Sequence, residues 1–152
     1  MSLAPLDRIR LLGAGETMDN THETALVVDD NIGNRELVVD LLAVVGVDSV
    51  EAGSGEEAVA LCRDVQPDIV VMDIGLPEMD GIEATRLIKS DARTKHIPVV
   101  AVTAHALVVD EEAARAAGCC GYITKPIDTR SFVAGIRDTL DRSQRSESEL
   151  GG

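Results

Sequence analysis

Two hydrophobic periods alternate along residues 24–141. At 25–28, 47–50, 69–72, 99–102 and 121–124, short apolar runs are flanked by polar or turn-forming residues. Several are apolar on consecutive positions, the pattern of a strand covered on both faces. Between them the spacing becomes helical. Leu37, Val38, Leu41, Leu42 and Val45 form one stripe, Ala58, Val59, Cys62 and Val65 a second, and Phe132, Val133, Ile136 and Leu140 another. Ile82, Ala84, Leu87 and Ile88 give a shorter stripe, and an Ala-rich segment near 107–117 gives a weak one. Asn31, Ser54, Asp80 and Asp128 stand where helix N-caps belong, with Glu57 and Glu83 at capping-box spacing. Gly46 and Gly118 fall just past helix ends, where glycine takes a left-handed conformation cheaply. Five strand–helix repeats predict an α/β sandwich built on a parallel sheet with right-handed crossovers.

The flanks differ from this middle. Residues 1–23 hold no sustained period and read as a flexible N-terminal extension, 24–141 as one structured domain, and 142–152 as a disordered tail. The eleven residues after Asp141 are too few for an output domain, so either a single-domain protein or a domain cut from a larger one is expected. Tyr122 and Phe132 are the only aromatics, so the core must be aliphatic, and no aromatic platform exists for stacking bases. A net charge of −13 repels a phosphate backbone, which argues against nucleic-acid binding. No apolar run approaches the roughly 20 residues that span a bilayer, and no signal-peptide core is present. A cytoplasmic protein is expected. Cys62, Cys119 and Cys120 lack metal-like spacing to histidine and read as reduced, buried small hydrophobes.

In an open parallel sheet, ligands bind beyond the carboxyl ends of the strands. Here the first predicted strand ends in Asp29 and Asp30, the third in Asp73, the fourth in Thr103, and the fifth in Thr124, Lys125 and Pro126. Three carboxylates at one edge are driven toward protonation unless a cation sits among them. An all-oxygen ligand set with room for water suits Mg²⁺ better than zinc. A lysine and a hydroxyl at the same edge would supply charge and orientation to a transferred phosphoryl group. Taken singly, each residue has a plainer reading: acids after strands cap helices, Thr103 bonds a neighbouring strand, and Lys125 and Tyr122 cover a surface turn and a sheet edge. It is their joint arrival at one edge that points to chemistry.

Four segments carry a family resemblance: LVVDDN over 26–31, DIVVMDIGLPEMDG over 68–81, VVAVTA over 99–104 and YITKP over 122–126. Together they resemble the receiver domain of two-component response regulators, most closely the single-domain members used in phosphorelay signalling. The resemblance covers roughly residues 24–141. It implies a flavodoxin-like (βα)5 three-layer sandwich with a five-stranded parallel sheet in the order 2-1-3-4-5. It implies Asp73 as phosphoacceptor and Mg²⁺ held by Asp30, Asp73 and the Gly75 carbonyl, with Asp29 orienting a water. Lys125 would pair with Asp73, Thr103 would bond a phosphoryl oxygen, and Tyr122 would turn inward as Thr103 moves. The Lys125–Pro126 bond would be cis. In the family, the positions two residues beyond the phosphoacceptor and the threonine tune the phosphate's lifetime; here they are Gly75, which offers no side chain to position or block a water, and His105. The phosphodonor would be a histidine kinase or histidine phosphotransfer protein, docked near Ile32, Arg35 and residues 126–129. The face formed by the fourth helix, fifth strand and fifth helix would signal to a downstream protein.

Two other classes compete. A flavodoxin-like redox carrier would need aromatic stacking and a phosphate loop after the first strand, where this chain has two aspartates. An aspartyl phosphatase would carry its nucleophile on that strand with a second acid two residues on, a spacing that Asp29, Asp30 and Asn31 do not match.

Overall fold

The computed structural model describes residues 23–76, 78–104 and 108–151. In chain order it forms β1 (Glu23–Val28), α1 (Ile32–Val44), β2 (Val47–Ala52), α2 (Gly55–Val65) and β3 (Ile69–Asp73). These are followed by α3 (Gly81–Ser90), β4 (Val99–Thr103), α4 (Val108–Ala117), β5 (Gly121–Thr124) and α5 (Thr129–Gly151). The strands pair in parallel in the order β2-β1-β3-β4-β5. This is the expected flavodoxin-like sandwich.

Side chains on a strand alternate between faces, so each strand feeds two cores. Ala25, Val27, Ile69, Val71, Val100 and Val102 pack with Val38, Leu41 and Leu42 of α1 and Phe132, Ile136 and Leu140 of α5. Leu26, Val28, Val70, Met72, Val99 and Ala101 pack on the other face with α2, α3 and Ala114 of α4. That two-sided burial is why β3 and β4 are apolar at nearly every position until their last residues, Asp73 and Thr103. The same alternation assigns those two residues to opposite faces. Asp73 continues the row of Ile69 and Val71, whereas Thr103 continues that of Val99 and Ala101.

The predicted punctuation holds. Asn31, Ser54 and Asp80 cap α1, α2 and α3, each accepting a backbone N–H three residues on, and Asp128 accepts the N–H of Ser131 at the start of α5. Gly46 and Gly118 have φ of 81° and 117°.

Three expectations change. Glu23, placed by the sequence in the flexible extension, is the first residue of β1: it pairs with Val47, and its Oε2 accepts from Arg137 Nη2 at 2.8 Å. Residues 142–151, expected to be disordered, continue the backbone of α5. No proline occurs beyond Thr129 and no glycine lies between Gly135 and Gly151, so nothing in the segment breaks the helix; i,i+4 pairs join Arg137 to Asp141 and Arg142 to Asp138 up to residue 142. The third change concerns cysteine. Cys62 and Cys119 are buried as expected, but Cys120, at the bend just before β5, is exposed. The rest of the expected extension, and His105, lie outside the described residues.

Burial pushes the Cys62 thiol up to about 12 and raises that of Cys119 as well, so neither forms appreciable thiolate near neutral pH. A thiol titration of the native protein is therefore expected to find one fast-reacting group, Cys120, and three after unfolding. A second fast thiol in the native protein would contradict this packing.

Candidate functional site

The sheet order reverses direction at β1, whose neighbours β2 and β3 lead off to opposite sides, and a crevice opens there at the strands' carboxyl ends. Asp29 and Asp30 follow β1, and Asp73 ends β3. One carboxylate oxygen from each lies within 4.8 Å of the others, with Asp29 and Asp73 buried and Asp30 exposed. Lys125 reaches the cluster from the end of β5. Its Nζ donates to Asp29 Oδ2 at 3.2 Å and lies 3.7 Å from Asp73 Oδ2. The Lys125–Pro126 bond is cis, as expected.

Asp73 is held from below by its own loop, where the Gly75 N–H donates to Oδ1 at 3.0 Å. Its carboxyl pKa is raised. Burial is the main cause, opposed by the Gly75 N–H; the Asp29 carboxylate raises it further, Lys125 lowers it, and Asp30 raises it slightly. Three acids against one lysine leave a surplus of negative charge, the condition in which a divalent cation with oxygen ligands is favoured. The donor set thus fits Mg²⁺.

Thr103 is buried at the end of β4, and its carbonyl accepts the Lys125 N–H at 2.7 Å. Tyr122 pairs in register with Ala101, which puts it on the same sheet face as Thr103. It is half-buried against the core on the α2–α4 side. Beside the acids, a cleft of about 240 Å³ runs toward α1, lined by Val27, Leu37, Val71, Asp73, Lys125 and Ile127 among others. Ile32 and Leu37 of α1 are exposed near it.

Two residues matter more here than the sequence suggests. Arg35, expected at a docking surface, is turned inward. Its Nη1 donates to the Asp29 carbonyl at 2.7 Å and its Nε to Glu51 at 2.9 Å. Gly81 lies against the phosphoacceptor loop so closely that a Cβ would overlap the Asp73 carbonyl oxygen and stand 2.8 Å from Ile74 Cα. Helical periodicity could not reveal the Arg35 contacts, whereas glycine as the first residue of a capped helix was a visible hint for Gly81.

Known proteins share this sequence pattern and fold. Residues 25–137 match the model of the response regulator receiver domain. The chain belongs to that family. The polar-differentiation response regulators DivK of Brucella ovis and Brucella abortus are 42% identical over 118 residues, covering 78% of this chain and 96% of theirs. Among solved structures, the Vibrio cholerae chemotaxis protein CheY4 aligns with a TM-score of 0.74 at 24% identity, over 78% of this chain and 99% of its own. A CheY-like receiver domain protein of Methanospirillum hungatei aligns at 0.76 and 24%, over 83% and 99%. At that identity these structures speak for the fold alone.

A receiver is a signalling domain of two-component systems, which work through histidine kinases and downstream targets. Membership of the family sets aside the redox-carrier and phosphatase readings. Among the described residues, no helix is long and apolar enough to cross a membrane.

Proposed function

We propose that this receiver accepts a phosphoryl group on Asp73 in a Mg²⁺-dependent reaction. The observation that carries the reading is the position of Lys125 Nζ between Asp29 and Asp73, inside a three-carboxylate cluster at the crevice. An Asp73 carboxylate oxygen attacks the phosphorus of a phosphohistidine or a small acyl phosphate. The donor's N–P or O–P bond breaks, its electron pair leaves with the imidazole or carboxylate, and the product is an acyl phosphate on Asp73. Phosphoryl transfer depends mainly on positioning and charge neutralisation. Asp30, Asp73 and the Gly75 carbonyl would hold Mg²⁺, with Asp29 orienting a water, and the ion would supply charge compensation to the phosphoryl oxygens. Lys125 exchanges its pairing with Asp73 for one phosphoryl oxygen. Thr103 donates its hydroxyl to another, and Tyr122, on the same sheet face, follows it inward. The α4–β5–α5 face changes shape as a result and is read by a protein partner. Hydrolysis of the acyl phosphate by water resets the switch.

Ile32, Leu37 and the mouth of the cleft form the surface that meets the phosphodonor, a histidine kinase or histidine phosphotransfer protein. Incubation with acetyl phosphate and Mg²⁺ is expected to add one phosphoryl group per chain by intact mass, and chelation with EDTA to abolish it. Beryllofluoride, which mimics the group without being hydrolysed, covers rapid turnover. Failure of both to bind would sink the reading.

A further inference from the structure

We propose that Arg35 is a positioning residue that fixes the backbone of Asp29 and thereby assembles the cation site. The inference rests on the reading of the acidic cluster as a Mg²⁺ site. Asp29 is held on every side. Its N–H donates to Ala52 O at 3.1 Å, tying the end of β1 to the end of β2. Its carbonyl accepts from Arg35 Nη1 at 2.7 Å. One carboxylate oxygen accepts the Asn31 N–H at 2.9 Å, and the other accepts from Lys125 Nζ at 3.2 Å. Arg35 is itself anchored on β2, through Nε to Glu51 at 2.9 Å. Its side chain is only 16% exposed, and the guanidinium lies over Gly53, where an added Cβ would stand 3.4 Å from Nη1.

The guanidinium fork therefore links the first turn of α1, the β1–α1 loop and the end of β2. A planar fork can bond two acceptors in fixed directions at once, which an ammonium cannot do as rigidly. Asp30 follows Asp29 directly, so a peptide that swings at Asp29 carries both acids out of register with Asp73. Groups that orient metal ligands from behind typically change metal affinity by about 10–100-fold when removed.

Charge alone predicts the opposite sign. Arg35 is a cation near an acidic cluster, and deleting a cation strengthens Mg²⁺ binding if only Coulomb's law operates. The test is to titrate Mg²⁺ into the full chain by calorimetry, with no phosphodonor, comparing wild type, Arg35→Met and Arg35→Lys. Methionine keeps the aliphatic stem while removing the donors and the charge. Positioning predicts that Arg35→Met binds Mg²⁺ at least about tenfold more weakly, with Arg35→Lys between it and wild type. Affinity equal to or tighter than wild type in Arg35→Met overturns the proposal. Should that variant fail to fold, Arg35→Lys decides, since it keeps the charge: weaker binding supports the proposal and wild-type binding overturns it. A wild-type chain that takes up no Mg²⁺ refutes instead the reading of the cluster as a cation site.

Discussion

The Asp73→Ala variant is expected to carry no phosphoryl group under conditions that label the wild type. The loss should be complete, because the neighbouring acids cannot take over. Asp29 is committed through both oxygens, to the Asn31 N–H and to Lys125. Asp30 is exposed and has no such lysine contact among the described interactions. Asp73 is buried at the end of a central strand, 3.7 Å from the ammonium, with only one of its oxygens engaged by a backbone donor, the Gly75 N–H. The same substitution is expected to raise the melting temperature when Mg²⁺ is absent. It removes a buried carboxyl whose ionisation is opposed mainly by desolvation and also by Asp29, as happens where a site is built for chemistry at the expense of stability. Intact mass after acetyl phosphate treatment reads the first effect, and a thermal melt in EDTA the second. A labelled Asp73→Ala protein would move the phosphoacceptor to another residue.

Gly81→Ala is expected to be among the most damaging single-methyl additions in this chain. The new Cβ would overlap the Asp73 carbonyl oxygen and lie 2.8 Å from Ile74 Cα and 2.9 Å from the Asp73 carbonyl carbon. All three are backbone atoms, so no side-chain rotation relieves the clash. Either α3 or the loop after β3 must shift, and both are pinned. The Gly81 N–H donates to Ile74 O at 3.0 Å, and the Gly81 carbonyl accepts from Thr85 Oγ1 at 2.7 Å. Overpacking of this kind costs about 3 kcal/mol, or on the order of 10 °C in melting temperature for a domain of this size. Phosphorylation by acetyl phosphate should also slow, because the displaced loop carries Asp73 and Gly75. Chemical denaturation and labelling rate measure the two consequences. A variant with wild-type stability would show that the loop yields freely.

Much of the site was legible because each residue in it ends a strand. Asp29, Asp73, Thr103 and Lys125 each follow a short apolar run, and a parallel sheet delivers all such ends to one edge. Periodicity alone gave no strand order. The order β2-β1-β3-β4-β5 was expected from the family's motifs, and the pairing bears it out. The contacts of Arg35 were not legible because its partners depend on that order. Glu51 and the Asp29 carbonyl converge on one guanidinium only because β2 lies beside β1. Cys120 was taken as buried from its residue type, although it stands at the bend between α4 and β5 and faces solvent. Residues 142–151, read from their polar composition as a disordered tail, continue the helical backbone of α5.

By itself the sequence determined the element types, their caps, the aliphatic core and the acidic, lysine-bearing edge. These follow from local periods and from single residues at strand ends, which need no knowledge of what lies across the sheet. Tertiary structure alone decided which groups touch. Lys125 and Asp29 are 96 positions apart in the chain yet 3.2 Å apart in space, and Gly81 meets the Asp73 backbone through the packing of α3 on its loop. Such contacts depend on strand order, register and helix packing, and those are set by the whole core at once rather than by any segment of it.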